Sequence, residues 1–411
     1  MGQMLRPLGV VLICVLLQGC GGRPLGVLLP SAGADVPGAT KVDMLVATTR
    51  APDQDKALLF SGERGENLAV THIKVSIPPT SARQIGQVQW PKKLPPDPSR
   101  EFATLLVHPI TQPQEVQSWM KRYLPRSRKV LIFVHGFNNR YEEAVYRFAQ
   151  IVHDSGADVV PVLFTWPSRA SVFDYNYDKE STNYSRTALE NILRRVARDP
   201  QVSDVTIMAH SMGTWLAVEA LRQMAIRDGS IAPKIHNVVL ASPDLDVQVF
   251  ARQWMELGKG RPKFTVFVSR DDRALKISRI LSGKVDRLEQ IDPNAEPYRS
   301  QLAESKLNVI DLTSLKSGDP LNHGKFADSP EVVQMIGARL MTGQTITDSD
   351  VGLGERIGAV ALGAAQTVGT ATGAVVSAPI AVFDPATRRS YGGQWRNVGA
   401  SAGNTADAVS Y

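Results

Sequence analysis

Apolar positions along this chain switch between two spacings, and the switching becomes regular from about residue 128 onward. Val130 to Val134 (Val-Leu-Ile-Phe-Val) is a continuous apolar run, as expected of a strand buried on both faces of a parallel sheet. Tyr141 to His153 instead places Ala144, Val145, Phe148, Ile151 and Val152 at helical intervals. The alternation repeats. Val159 to Phe164 reads as a strand, and Ser181 to Arg198 as a helix with Leu189, Ile192, Leu193 and Val196 inward. Val205 to Met208, Asn237 to Leu240, Phe264 to Val268 and Leu307 to Leu312 continue the strands. Helical patterns leave Met212 toward Ile226, run near Val247 to Leu257 and cover Leu275 to Leu281. Upstream, Val42 to Thr48, the alternating stretch Leu68 to Ile77 and Phe102 to Val107 are strand candidates. Asp328-Ser329-Pro330-Glu331 is a helix start, with a capping side chain, proline in the first turn and an acid behind it. Strand and helix alternating at this length predict an α/β chain, with a mostly parallel central sheet and helices on both faces.

Both ends of the chain depart from that pattern. Arg6 precedes an apolar stretch, Leu8 to Leu17, that is too short to span a bilayer comfortably. It ends in Leu17-Gln18-Gly19-Cys20, an arrangement that resembles a bacterial lipobox, so residues 1–19 are expected to be a lipoprotein-type signal and Cys20 the lipidated amino terminus. Residues 20–40, rich in Gly, Pro and Ala, read as a flexible tether. The predicted globule spans 41–342. Beyond it, 343–411 is a Gly/Ala-rich extension in which Ile357 to Phe383 carries no charged residue. These features predict attachment to a bacterial cell envelope through an N-terminal lipid.

The two cysteines, Cys14 and Cys20, fall in the signal and at the lipid site, so the mature chain is expected to have no disulfide. With 411 residues and 43% hydrophobic content it has ample material for an ordinary core. The net charge of +6 is read as a solvated basic surface. No basic block interleaved with aromatics accompanies it, and nucleic acid is not an expected partner. Walker, Rossmann, zinc and EF-hand spacings are all missing from the sequence, so neither cofactor nor metal is implied.

The candidate chemistry gathers at Ser211. It stands at the apex of Ala209-His210-Ser211-Met212-Gly213, between a strand pattern and a helical one. Small residues two before and two after suit a sharply bent nucleophile turn, Gly-x-Ser-x-Gly, from which this stretch departs only by Ala209. A serine nucleophile needs a base, an orienting acid and donors for an oxyanion. His323 lies in the loop Leu321-Asn322-His323-Gly324 after the last strand candidate and is the expected base. His72, His108, His153 and His236 sit in less suitable places, and His210 is expected to point away from the site. His135-Gly136-Phe137-Asn138-Asn139 directly follows Val134, and its turn is expected to offer the Phe137 N–H as one donor, with the Met212 N–H as the second. Two loops offer an acid: Ser269-Arg270-Asp271-Asp272 and Ser242-Pro243-Asp244-Leu245-Asp246. Trp166-Pro167-Ser168 with Phe173, Tyr175, Tyr177 and Tyr184 reads equally as the wall of an acyl or aryl pocket and as a packed surface loop.

In their combination these motifs resemble the α/β-hydrolase superfamily and, more narrowly, a bacterial group of uncharacterised esterase/lipase-like hydrolases. The likeness rests on Val134 to Asn138, Phe164 to Ser168, Ala209 to Gly213, Ser269 to Leu275 and the His323 loop, and covers roughly Lys41 to Thr342. It implies a sheet of about eight strands, metal-free ester or amide chemistry and Asp272 as the acid, because an Asp followed by x-Ala-Leu fits the narrower group. Asp244 remains the alternative. The expected function is a lipid-anchored serine hydrolase acting on small-molecule or lipid esters. The rival from another class is an envelope lipoprotein that uses the fold for binding or assembly. Oligomeric state and substrate identity are not legible.

Overall fold

The computed structural model describes residues 25–31, 36–281, 285–305, 307–315, 319 and 321–342. The presumed signal, Cys20 and the Gly/Ala-rich extension lie outside them.

Among the described residues the sheet has nine strands in the order β3-β2-β1-β5-β4-β6-β7-β8-β9, one more than the resemblance implies. They are β1 (Thr40–Pro52), β2 (Phe60–Ile77), β3 (Ala103–Ile110), β4 (Lys129–Val134), β5 (Val160–Thr165), β6 (Asp204–His210), β7 (Ile235–Ala241), β8 (Lys263–Val268) and β9 (Asn308–Asp311). β1, β2 and β3 pair antiparallel at one edge, and every other neighbouring pair is parallel. The apolar runs explain the arrangement. β4 and β5 are buried almost throughout, which is possible only in a sheet covered on both faces. The first half of β2 is mostly half-buried or exposed, because it extends beyond the sheet as a ribbon with β1.

The helices are α1 (Pro113–Tyr123), α2 (Tyr141–Ser155), α3 (Tyr175–Arg198), α4 (Gly213–Asp228), α5 (Val247–Glu256), α6 (Arg273–Leu281), α7 (Tyr298–Ser305), α8 (Lys325–Asp328) and α9 (Pro330–Thr342). Two hydrophobic layers result. α3 and α4 press Leu189, Leu193, Leu216 and Leu221 against Ile132, Val162 and Ile207 on one face. α2 and α9 press Phe148, Ile151, Val332 and Ile336 against Phe133, Leu163 and Met208 on the other. Each fully buried aliphatic or Phe side chain contributes roughly 1.5–3 kcal/mol, which is why these periodic positions fix the layers.

Two expectations shift. The helix read from Ser181 begins at Tyr175, so Tyr175, Tyr177 and Tyr184 lie on it and not in a loop. Within the stretch expected as tether, Val27 and Leu28 are buried, and the Val27 carbonyl accepts hydrogen bonds from Thr104 Oγ1 at 3.1 Å and Tyr146 Oη at 2.8 Å.

From β4 the chain crosses to β5 on one side, then returns past β4 to β6 on the other. The carboxyl ends of β4 and β6 therefore flank the point where the winding reverses, the usual place for a site in such a sheet. No described helix is long and apolar enough to cross a membrane.

Candidate active site

Val134 of β4 pairs with Ala209 of β6, so the turns His135-Gly136-Phe137 and His210-Ser211-Met212 emerge side by side. Ser211 adopts φ +51°, a left-handed conformation costly for a non-glycine residue. The surroundings hold it there. Its N–H donates to the Ala241 carbonyl at 2.9 Å, and its carbonyl accepts from Thr214 N at 3.0 Å and Thr214 Oγ1 at 2.6 Å. Two glycines permit the approach. A Cβ on Gly136 would stand 2.8 Å from Ser211 Cβ, and one on Gly213 would stand 2.2 Å from the His135 carbonyl oxygen. Met212 then leads directly into α4.

His323 and Asp272 meet across the carboxyl ends of β8 and β9. His323 Nδ1 lies 2.6 Å from Asp272 Oδ2, with Asp272 fully buried and the imidazole 17% exposed. Asp272 Oδ1 also accepts from the Leu275 N–H at 3.0 Å, so this acid begins α6 as well as holding the ring. The His323 loop is fastened at several points. Asp319 Oδ2 accepts from the N–H groups of His323 at 2.8 Å and Gly324 at 3.2 Å. Asp271 accepts from Asn322 Nδ2 at 3.0 Å and from the buried Lys325 ammonium at 2.7 Å. The Ser242 hydroxyl donates to the His323 carbonyl at 3.1 Å. Burial pushes the His323 imidazole down, but the charge and hydrogen bond of Asp272, with the charges of Asp319 and Asp244 behind them, outweigh it, and the net direction is upward.

Asp244 is placed otherwise. It accepts from Tyr175 Oη at 3.0 Å and Ser278 Oγ at 2.6 Å, and pairs with the buried Arg287 at 3.3 Å. Its carboxylate is thus occupied away from the imidazole.

His210 corrects an expectation: its ring does not turn away. It lies 4.7 Å from the His323 ring and 4.7 Å from that of Phe326, and its Nε2 donates to the His323 carbonyl at 3.3 Å. Burial, then the neighbouring His323, hold it well below the ordinary imidazole range. His210 is therefore a neutral spacer between the serine turn and His323.

The turn after β4 has its own support, which the sequence did not disclose. Arg50, 1% exposed, donates to the carbonyls of Asn139 at 2.7 Å, Ser168 at 2.9 Å and Ser61 at 3.1 Å. His135 Nε2 accepts from the Trp166 N–H at 3.1 Å, so Nδ1 carries the hydrogen and donates to the Gly136 carbonyl at 2.8 Å. Burial and Arg50 push His135 down to about 3, which leaves it neutral and unsuited to act as a base. Trp166 stacks on His135 with centroids 4.9 Å apart and is fully buried. Tyr177 and Tyr184 donate to the carbonyls of Gly62 at 3.3 Å and Gly65 at 2.6 Å, tying α3 to the β2 ribbon. Most of the aromatic cluster is therefore framework. Tyr175 alone among these meets Phe137, edge-on at 5.4 Å.

Asp272, Glu289 and His323 bring one potential ligand atom each within 4.8 Å of one another. The 2.6 Å contact between two of them makes this a hydrogen-bonded set, not one spread open for a cation. A separate groove of about 1050 Å³ lies between α1 and α3, lined by Leu45, Val116 and Ile192, and includes none of the site residues.

A mostly parallel sheet with a strained serine at a strand-to-helix turn and a histidine–aspartate pair at neighbouring strand ends defines an α/β hydrolase. The chain belongs to the family of alpha/beta hydrolases of unknown function, DUF900, which matches residues 112–339. It is 34% identical over 226 residues to the uncharacterized protein alr1448 of Nostoc sp. (strain PCC 7120 / SAG 25.82 / UTEX 2576), covering 43% of this chain and 57% of that relative. The match thus spans little more than half of the relative's length. Among solved structures it is similar to one of two fungal esterases from Rhizomucor miehei, at 16% identity, over 83% of this chain and 98% of that one, with a TM-score of 0.34. A lipase-esterase related protein from Clostridium acetobutylicum ATCC 824 matches at 11% identity, over 51% and 94% of the two chains, with a TM-score of 0.29. Scores that low leave the family match and the chain's own geometry to carry the assignment.

Proposed function

We propose that this hydrolase cleaves carboxylic esters through an acyl-enzyme, with Ser211 as nucleophile, His323 as base and Asp272 as the acid that orients it. The observation that carries the reading is the 2.6 Å bond from His323 to a fully buried Asp272, beside a serine held at φ +51°. Ser211 Oγ attacks the ester carbonyl carbon while His323 Nε2 takes its proton. The Nδ1–H stays on the ring and donates to Asp272, which fixes the tautomer and stabilises the imidazolium. The N–H groups of Phe137 and Met212 receive the developing oxyanion, Met212 with the help of the α4 amino terminus. His323 then protonates the departing alcohol. Water enters, the same base removes its proton, and the acyl group leaves as a carboxylic acid.

The amino-terminal pattern ending at Cys20 supports placement at a bacterial envelope through a lipid, where small or lipid esters would be the substrates. A fluorophosphonate probe tests the central claim. Labelling that maps to Ser211 and blocks turnover of an activated ester supports it, and labelling elsewhere, or none, overturns it.

A further inference from the structure

Glu289 belongs to a short turn, Leu288–Gln290, packed against β8, and it has no exposed surface. The reaction above gives it no task. Neither of its carboxyl oxygens makes a hydrogen bond of ordinary geometry with a described residue, and the one donor nearby, the Ser242 hydroxyl, favours the charged form less than burial and Asp272 oppose it. A carboxylate so poorly provided with donors is costly to keep charged in a dry interior, so its presence demands a reason. The neighbouring Ser242 hydroxyl donates to the His323 carbonyl at 3.1 Å. One atom each of Glu289, Asp272 and His323 lie within 4.8 Å of one another. Two carboxylates that close in a dry interior do not both ionise. An uncharged Glu289 resolves the conflict: it becomes a donor, and the Asp272 carboxylate is the acceptor at hand.

We propose that Glu289 keeps its proton during turnover and donates it as a hydrogen bond to Asp272, so that the two acids together present a single negative charge to His323. The inference rests on the reading of Ser211, His323 and Asp272 given above. Glu289 is then a positioning residue that acts through Asp272. The charged and titratable groups around it are consistent. Asp244 after β7 is matched by Arg287, on Glu289's own turn, at 3.3 Å. Asp272 follows β8, and His323 and Asp319 follow β9; the ion pair that Asp272 makes is with His323. Burial first, and the charge of Asp272 second, hold Glu289 well above the ordinary carboxylate range. With its charge shared, Asp272 orients the imidazole without holding the imidazolium so strongly that the leaving alcohol cannot take the proton.

The experiment combines infrared spectroscopy with the pH dependence of kcat/KM on a short-chain p-nitrophenyl ester, for the full chain and for Glu289→Gln and Glu289→Ala. The expected spectrum at neutral pH has a protonated-carboxyl band that disappears in Glu289→Gln. Glu289→Ala is expected to lose on the order of 10- to 100-fold in kcat/KM, the range seen for outer-shell partners at metal sites, with the acid limb moving to higher pH. Glu289→Gln, which keeps a neutral donor, is expected to restore most of that loss. Removing an ionised Glu289 would instead lower the His323 midpoint by about one unit or more in both variants, and that result overturns the proposal. Wild-type rate and profile in Glu289→Ala would do the same, as would a wild-type spectrum without the band. Should Glu289→Ala not fold, the spectrum and the Gln profile still decide. Should the fluorophosphonate probe miss Ser211, the catalytic reading fails by itself, and the infrared band still reports the proton on Glu289.

Discussion

Asp272 and His323, 51 residues apart in the chain, are joined by a 2.6 Å hydrogen bond. The carboxylate is fully enclosed while the ring retains an exposed edge, an asymmetry that suits an acid that orients and a base that exchanges protons. Asp271, the adjacent residue, faces the opposite partner, the buried Lys325. Neighbouring aspartates thus bond one to the His323 ring and the other to the lysine two residues further along the chain.

Substituting these acids separates the roles. Asp272→Asn is expected to lower turnover by about 10⁴-fold, the loss seen when a triad acid no longer fixes the tautomer. Asp244→Asn leaves Arg287 buried and unpaired, and is expected to cost about 3–5 kcal/mol of stability. Asp271→Asn is expected to lower the melting temperature while leaving residual turnover well above that of Asp272→Asn. Turnover and thermal melts of the three variants side by side check this. Loss of activity with an intact fold in Asp244→Asn alone would reassign the acid.

Ser211→Ala removes only the hydroxyl from a turn held by backbone bonds. It is expected to reduce ester turnover by on the order of 10⁴- to 10⁶-fold with an unchanged melt. Active-site titration with the fluorophosphonate should fall to zero in the same variant.

The pH profile carries a sign. His323 is shifted upward, so the acid limb of kcat/KM is expected to have its midpoint above about 6.5, the ordinary histidine value. In Asp272→Asn the two largest upward influences vanish while burial and the weaker pull of Asp319 and Asp244 remain, so the acid limb of the residual activity should move to lower pH. The same shift affects stability. A base with a raised folded-state value stabilises fully below about 6.5, and this increment is lost as pH rises through the folded value. Activity therefore rises over the window in which that increment disappears. An acid limb that does not move in Asp272→Asn would contradict the assignment.

The two glycines should respond differently to alanine. Gly213→Ala drives a Cβ to 2.2 Å from the His135 carbonyl oxygen, a backbone conflict expected to destabilise by about 1–3 kcal/mol or more. Gly136→Ala meets the side chains of Ser211 and His210 at 2.8 and 2.9 Å, so its main expected effect is displacement of the nucleophile and a drop in kcat. Melting and rate measurements on both variants distinguish the outcomes.

Cys20→Ser is expected to abolish lipid attachment and cleavage before residue 20. Mass spectrometry of the membrane fraction checks it. An unmodified Cys20, or cleavage elsewhere, would remove the anchor from the proposal.

The sequence by itself determined the layered α/β architecture, because apolar runs such as Val130 to Val134 and helical stripes such as Ala144 to Val152 each have one favourable way of being buried. It also pointed to Ser211, His323 and Asp272, since turns between a strand and a helix carry recognisable small and polar residues. What it could not supply were partners set by packing. Arg50, whose guanidinium braces the Phe137 turn, lies just beyond an ordinary strand pattern with no local sign of burial. His210 looked averted because sequence order says nothing of the ring that folds over it from residue 323. Asp272 was preferred to Asp244 only through its likeness to the narrower group, and it is the sheet that places Arg287 and Tyr175 beside one and His323 beside the other. Glu289 falls in an irregular stretch, and only tertiary closure against β8 takes it out of water. Local patterns follow from backbone geometry and the hydrophobic effect within a few residues, whereas the electrostatics of a site depend on which distant groups share its low-dielectric interior.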